Sequence, residues 1–452
     1  RAFYPLTFLA LRLAIDMQWL SSGEGAIRLP FALFGIATVP ALWFVGRRLI
    51  GDGAALFAAA LLAVMPWHVY WSQNARGYVF VVLSSVAVAA AAWRWHETGR
   101  RRDLALVAAA IALGTLFHLT ALMQLLGLAA FFALRRHELG SRALLGCILG
   151  AAIVLAVLPI AMVYLPPLQG FLGAKSEGAS WSHFPITAGY FFRPLLLLTA
   201  IAGFFLLRRR LGRERALLLA CLAATPFLVL TVVGGTTAKS TARYAICALP
   251  ALVWLGAFAA FELAGLLRGT FGQAPGRRLV ANGAAAFVGL ALLADFGVGT
   301  WHYFADHHGD RARWPEACRF VERRFGAGRL HVLTTGEPIV RYYLTRDYWQ
   351  NGSLSDPARQ IRIFAHWLYD GRLADGTKIH EPGAAAHLQW QVEQARANSA
   401  QLVVALTLPE LAEYDADGSL WRALRAEFEL ALYLPCWVGP KDQSIYVFLP
   451  KG

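Results

Sequence analysis

The chain has 452 residues, 57% of them hydrophobic and only 15% charged, with 42 Lys+Arg against 28 Asp+Glu and a formal net charge of +14. A soluble globular domain carries roughly 25% charged residues, so a mean hydropathy of +0.48 excludes a disordered chain and turns the positive charge away from a nucleic-acid partner. The charge is also divided: residues 1–300 hold 25 Lys+Arg and 10 Asp+Glu, whereas 301–452 hold 17 and 18. The expected fold class is therefore an α-helical polytopic membrane bundle over 1–300, followed by a small α/β domain over 301–452.

In chain order, residues 1–20 read as a helix lying along the outer membrane interface, because Arg12 and Asp16 stand four apart in an otherwise apolar stretch. Ten apolar runs follow, at 28–46, 54–72, 78–93, 104–117, 119–134, 143–164, 186–207, 217–234, 247–267 and 279–299. Crossing a bilayer takes about 20 apolar residues, so each run is a candidate span. Basic residues cluster in alternate connections: Arg47 and Arg48; Arg94 and Arg100 to Arg102; Arg135, Arg136 and Arg142; Arg208 to Arg210 with Arg213 and Arg215; Arg268, Arg277 and Arg278. The positive-inside rule makes these connections cytoplasmic. Both flanks of 104–134 are basic, which makes it two short helices turning near His118 on the opposite side. The same parity places 301–452 outside, on the side opposite the cytoplasm.

Beyond Trp301, helices at 314–326, 383–398 and 419–426 alternate with strands at 330–335 and 401–408, and EFELALYLP and QSIYVFLP read as closing strands. Cys318 and Cys436 fall in this region, where a disulfide and two buried thiols are both compatible with the sequence. Asp415 and Asp417 form an Asp-x-Asp pair that reads as a turn before the last helix. No His-x-x-x-His or paired-Cys metal pattern occurs, so the chemistry is expected to need neither metal nor other cofactor.

Ionisable groups are rare inside the apolar runs, which argues against a transporter or flippase for lipid-linked glycans, whose sites lie near the bilayer midplane. Polar residues gather instead on the outer side: Tyr4, Glu24, Arg28, Gln73, Arg76, Tyr78, His118, Lys175, His183, Lys239 and Arg243. Outer Arg and Lys run against the charge rule and suit a bound anion, with phosphate the natural candidate. Each also has a plainer reading. Glu24 and Arg28 can pair across one helical turn, His118 can be a packing group at a turn, Lys175 and His183 can belong to a solvated loop over the site, and Arg243 can reach for the membrane interface.

Several segments together resemble a known family: Phe3-Tyr4-Pro5-Leu6, GEGAIRLPFALFG (23–35), the run 45–80 ending in Ser72-Gln73-x-x-Arg76-x-Tyr78, FHLT (117–120), and TARYAICALPAL (241–252). The chain is similar to GT-C type membrane glycosyltransferases of the dolichyl-phosphate-mannose protein mannosyltransferase superfamily, which includes the aminoarabinose transferases of lipid A. The resemblance implies about a dozen membrane helices with juxtamembrane helices on the periplasmic face. It also implies transfer, with inversion, of a sugar from a polyprenyl-phosphate donor to a lipid, cell-envelope glycan or protein acceptor. The family's general base, an Asp or Glu in the first periplasmic loop, is expected upstream of Arg1, and a chain lacking it is expected to be inactive. By position in the motifs, Arg76 and Arg243 match phosphate or sugar ligands, Lys239 is a neighbouring candidate, and Tyr4, Gln73 and Tyr78 accompany them. A non-catalytic relative that binds polyprenyl lipid as an assembly partner fits the same residues.

Overall fold

In a computed structural model, the residues described are 5–19, 23–135, 180–237, 240–271, 275–307, 309, 311–325, 329–345, 355–356, 361–367, 384–412, 415, 418–438 and 441–451. The chain forms two compact units, residues 1–301 and 302–452.

The first unit is helical throughout its described residues. Its elements are α1 (Pro5–Asp16), α2 (Glu24–Ile50), α3 (Asp52–Ala63), α4 (Pro66–Ser72), α5 (Tyr78–Thr98), α6 (Arg101–Phe117), a 3₁₀ turn at Leu119–Leu122 and α7 (Met123–Leu134). Then come α8 (His183–Phe192), α9 (Pro194–Arg210), α10 (Arg213–Thr236), a 3₁₀ helix at Ala242–Ala248, α11 (Leu249–Phe271) and α12 (Pro275–Ala305). Among the described residues four helices are long and apolar enough to cross a membrane, or six if each of two bent pairs counts as one span. The expected run 143–164 lies outside the described residues.

Two expected spans are broken. The run 54–72 divides into α3 and α4, bent by 62°, and 186–207 divides into α8 and α9, bent by 87°. A proline opens the second helix of each pair: it has no N–H for the helical ladder and disfavours the helical region for the residue before it. Met65 before Pro66 is extended (φ −78°, ψ 120°), and Arg193 before Pro194 takes φ 64°, ψ 134°.

Close helix approach depends on residues without bulk. A Cβ on Gly203 of α9 would stand 2.0 Å from the Leu255 carbonyl oxygen of α11, and one on Gly127 of α7 would stand 3.0 Å from that of Cys221 in α10. Buried Trp254 wedges against Gly46 and donates its indole N–H to the Leu42 carbonyl at 3.1 Å, tying α11 to α2.

Among the described residues, basic side chains of three connections are tied by ion pairs at one end of this unit. Buried Asp103 accepts from Thr98 Oγ1 at 2.6 Å and pairs with Arg94 at 3.3 Å. Arg135 pairs with Glu214 and meets His96 Nδ1 at 2.8 Å, and Arg210 pairs with Glu262 at 3.0 Å.

The second unit comprises α13 (Trp314–Phe325), β1 (Leu330–Thr334), α14 (Glu337–Thr345), β2 (Ser355–Asp356), β3 (Ile361–Trp367), α15 (Ala384–Ala397), β4 (Gln401–Thr407), α16 (Leu408–Ala412), α17 (Ser419–Glu427), β5 (Phe428–Leu434), β6 (Trp437–Val438), β7 (Lys441–Asp442) and β8 (Ile445–Pro450). Six strands form a mixed sheet in the order β2-β3-β1-β4-β8-β5, with β3, β1 and β4 parallel and the rest antiparallel to their neighbours. Residues of α13 and α14 pack with Val332, Val403 and Val447 on one face, and residues of α15 and α17 pack with Leu333, Val404 and Phe448 on the other. Helices on both faces explain why β1 is buried along its whole length.

The sequence reading anticipated β1, β4, β5 and β8 but not β3, α14 or the short hairpin β6-β7. Cys318 and Cys436 are free buried thiols, not a disulfide. Asp415 accepts the backbone N–H groups of Leu420 (3.0 Å) and Trp421 (2.9 Å), capping α17, which accounts for Asp415 as turn chemistry, whereas Asp417 lies outside the described residues.

Candidate functional site

At the other end of the helical unit the chain brings together the start of α5, the break between α6 and α7, and the 3₁₀ helix 242–248. Phe80 stacks on Phe117 (centroids 3.9 Å) and meets Phe31 and Phe34 of α2, so a small apolar cluster holds α2, α5 and α6 together. Above it, Gly77 lies against the end of α6 so closely that a Cβ there would stand 2.1 Å from the Phe117 carbonyl oxygen. The same carbonyl accepts from Thr7 Oγ1 at 3.5 Å, bringing α1 to this corner.

This packing places Tyr78 on His118. Buried Tyr78 stands between Trp71 (4.0 Å) and the His118 ring (4.0 Å), and Trp71 continues through Trp67 to Phe191 of α8. Tyr78 thus acts as the support for the imidazole. Gln73 closes α4 just before it.

His118 is itself buried, in the break between α6 and the 3₁₀ turn and outside both helices. Its Nδ1 accepts the Thr120 backbone N–H at 3.1 Å, with Thr120 Oγ1 at 2.9 Å. An accepting Nδ1 carries no proton, so the ring is neutral with its proton on Nε2. Burial first, then the positive charges of Arg243 and Arg76, pushes the imidazole down to about 3. The unfolded histidine takes up a proton below about 6.5, and the folded one does so only near 3. Between these pH values the unfolded state binds more protons, so His118's contribution to stability is present above pH 6.5 and is lost as pH falls toward 3. His118→Asn, whose side-chain oxygen can replace Nδ1 as acceptor, should flatten this acid-side loss in melting temperatures recorded from pH 7 to pH 4. An unchanged slope would assign the loss to other groups.

Two cations from distant parts of the sequence therefore act on one neutral ring. Arg76 is exposed, and among the described residues no ion pair involves it. Arg243 is half-buried; its Nη2 donates to Tyr244 Oη at 3.3 Å and the guanidinium lies over that ring at 5.1 Å. The helix that carries it is fixed by the Ala242 N–H donating to Thr187 Oγ1 of α8 at 3.2 Å. His183 opens α8, half-buried, one turn before Thr187. Glu24 and Arg28 form an ion pair on the first turn of α2, the structural alternative for those residues. Tyr4, Lys175 and Lys239 lie outside the described residues.

The sequence reading passed over Arg193. It stands at the bend between α8 and α9 with a backbone angle that non-glycine residues seldom adopt. Its guanidinium lies 6.0 Å over Tyr190 and runs beside Gly299 of α12, where a Cβ would stand 2.5 Å from Nη2. Nearby, Thr300 Oγ1 donates to the Val64 carbonyl at 2.7 Å, so α12 closes this corner against the bend between α3 and α4. The signal in the sequence was the Arg-Pro pair opening an apolar run.

Comparison with known proteins follows the same lines. Residues 5–163 match the sequence pattern of the dolichyl-phosphate-mannose-protein mannosyltransferase family. No curated protein sequence matches the chain. Among solved structures, ArnT from Cupriavidus metallidurans bound to undecaprenyl phosphate is similar at a TM-score of 0.56 and 14% identity, over 98% of this chain and 87% of that one. Its apo state is similar at 0.53 and 14%, over 99% and 88%. The oligosaccharyltransferase from Archaeoglobus fulgidus, in complex with zinc and sulfate, is similar at 0.50 and 14%, over 98% of this chain and 64% of that one. The fold of this chain is thus similar to that of ArnT and the oligosaccharyltransferase, and its residues 5–163 carry the pattern of the mannosyltransferase family.

Proposed function

We propose that this protein transfers a sugar, with inversion, from a polyprenyl-phosphate donor to a lipid, glycan or protein acceptor at the periplasmic face of a bacterial inner membrane. The observation that carries the reading is the convergence of Arg76 and Arg243 on neutral His118, with Arg193 at the same end of the bundle. Guanidinium groups bind phosphate oxygens bidentately and stabilise the charge that develops as a sugar–phosphate bond breaks. A neutral imidazole leaves the two positive charges to act on an anion. The choice of face is supported by the basic connections, which the positive-inside rule assigns to the cytoplasm, with the site at the other end of the helical unit. The similarity to a transferase that binds undecaprenyl phosphate supports the choice of carrier.

Mass spectrometry of lipid retained by the purified protein tests the reading. Polyprenyl phosphate, free or sugar-linked, should be enriched over its share of the host membrane. Bulk phospholipid alone, in the proportions of that membrane, would contradict it.

A further inference from the structure

The second unit holds an open pocket of about 530 Å³, lined by none of the residues of the His118 corner. Its floor comes from edge strand β5. The pairing of β5 with β8 slips between Leu430 and Leu432, and this bulge changes which face the side chains take. Phe428, before the bulge, packs on the α17 side, whereas Leu434, after it, belongs to the core beneath α13. Leu432 and Leu434 therefore line the cavity with Phe320 of α13. Strand β5 is the last in the sheet, so α13 covers this strip from one side only.

The rim is cationic. Arg319 and Arg323, one helical turn apart, and Arg324 line it together with Glu316. Glu316 is already engaged by Arg313, whose Nε donates to it at 2.9 Å and whose Nη2 makes a second bond. Among the described residues no ion pair involves Arg319, Arg323 or Arg324. The Nε groups of Arg319 and Arg323 donate to carbonyls one turn back, Pro315 at 3.2 Å and Arg319 at 3.3 Å, which lays both side chains along the helix. Three cations over an apolar floor, in a volume typical of small-molecule sites, define the complementary ligand.

We propose that this cavity binds a phosphate-bearing amphiphile, with the phosphate on Arg319, Arg323 and Arg324 and an apolar stem on Phe320, Leu432 and Leu434. The ligand chemistry has two sources, an anionic lipid headgroup or a soluble phosphate ester. The site does not depend on the transfer reading, because none of its residues belongs to the His118 corner.

Hydrogen-exchange mass spectrometry of the full chain reads α13 and β5 directly. In dodecyl maltoside, dodecyl phosphate should protect peptides covering 314–325 and 428–434 at a concentration at least tenfold below that needed with inorganic phosphate. In nanodiscs, protection on replacing phosphatidylcholine by phosphatidylglycerol assigns the lipid source, and protection by dodecyl phosphate alone assigns the soluble one. Arg319→Gln with Arg323→Gln should weaken dodecyl phosphate at least about tenfold. Leu432→Ser should weaken dodecyl phosphate while leaving inorganic phosphate unchanged. Arg76→Ala with Arg243→Ala should alter neither response. Absence of protection with every probe, or protection unaltered in the double Gln variant with its melting temperature retained, would overturn the proposal.

Discussion

Replacing both Arg76 and Arg243 by alanine is expected to abolish detectable binding of undecaprenyl phosphate, and each single replacement to weaken it by about 10- to 100-fold. A hydrogen bond to a charged group contributes about 1.5–3 kcal/mol, and about 1.4 kcal/mol is a factor of ten in affinity. Undecaprenol, which has the same tail and no phosphate, should bind all variants alike. Arg243→Lys should fall between wild type and alanine, because lysine keeps the charge but loses the fork geometry and the stacking on Tyr244. Arg76 is exposed and in no described ion pair, so its loss should leave the melting temperature unchanged, separating binding from folding. Wild-type affinity in the double variant, measured by titration in detergent, would remove both residues from the site.

The second large effect is expected at Gly77. Its backbone is ordinary (φ −63°, ψ −1°), so alanine there carries no conformational penalty. The constraint is contact: a Cβ would stand 2.1 Å from the Phe117 carbonyl oxygen and 3.3 Å from Thr7 Oγ1. The first neighbour is backbone at the end of a helix and cannot rotate away, so the segment holding Arg76 and Tyr78 must lift from α6. Overpacking of this kind costs about 1–3 kcal/mol. Here it also pulls Tyr78 from His118 and moves Arg76 relative to Arg243. Gly77→Ala should therefore lower the melting temperature and weaken undecaprenyl phosphate binding by at least about tenfold. Gly25→Ala, where a Cβ meets nothing within 4 Å, should do neither. Equal behaviour of the two variants would show that the Gly77–Phe117 contact does not build the site.

These two corners also show what could be read from the amino-acid order. The helix pair turning at His118 followed from charge alone, since basic flanks on both sides of 104–134 demand an even number of crossings. The Glu24–Arg28 pair followed from spacing. The bends at Pro66 and Pro194 did not follow, because Pro30 and Pro40 stand inside unbroken α2 and Pro226 inside α10. Proline removes a local hydrogen bond everywhere. Whether the helix then breaks depends on neighbours that a single sequence does not display.

Arg193 was missed for the same reason: its importance comes from the bend and from Gly299 of a helix far along the chain. Tyr78 matched a motif, but only its place between Trp71 and His118 distinguishes support from ligand contact. In the second unit, β1 and β4 stood out as apolar runs. By contrast, Ile361–Trp367 joins the sheet beside β1 through backbone pairing that leaves a weaker trace in composition.

The most direct test of the central claim is a structure of the protein with undecaprenyl phosphate bound. The account predicts the phosphate between the guanidinium groups of Arg76 and Arg243, beside His118 and on the Tyr78 end of the helical unit. A phosphate held elsewhere, with neither arginine in contact, would contradict it.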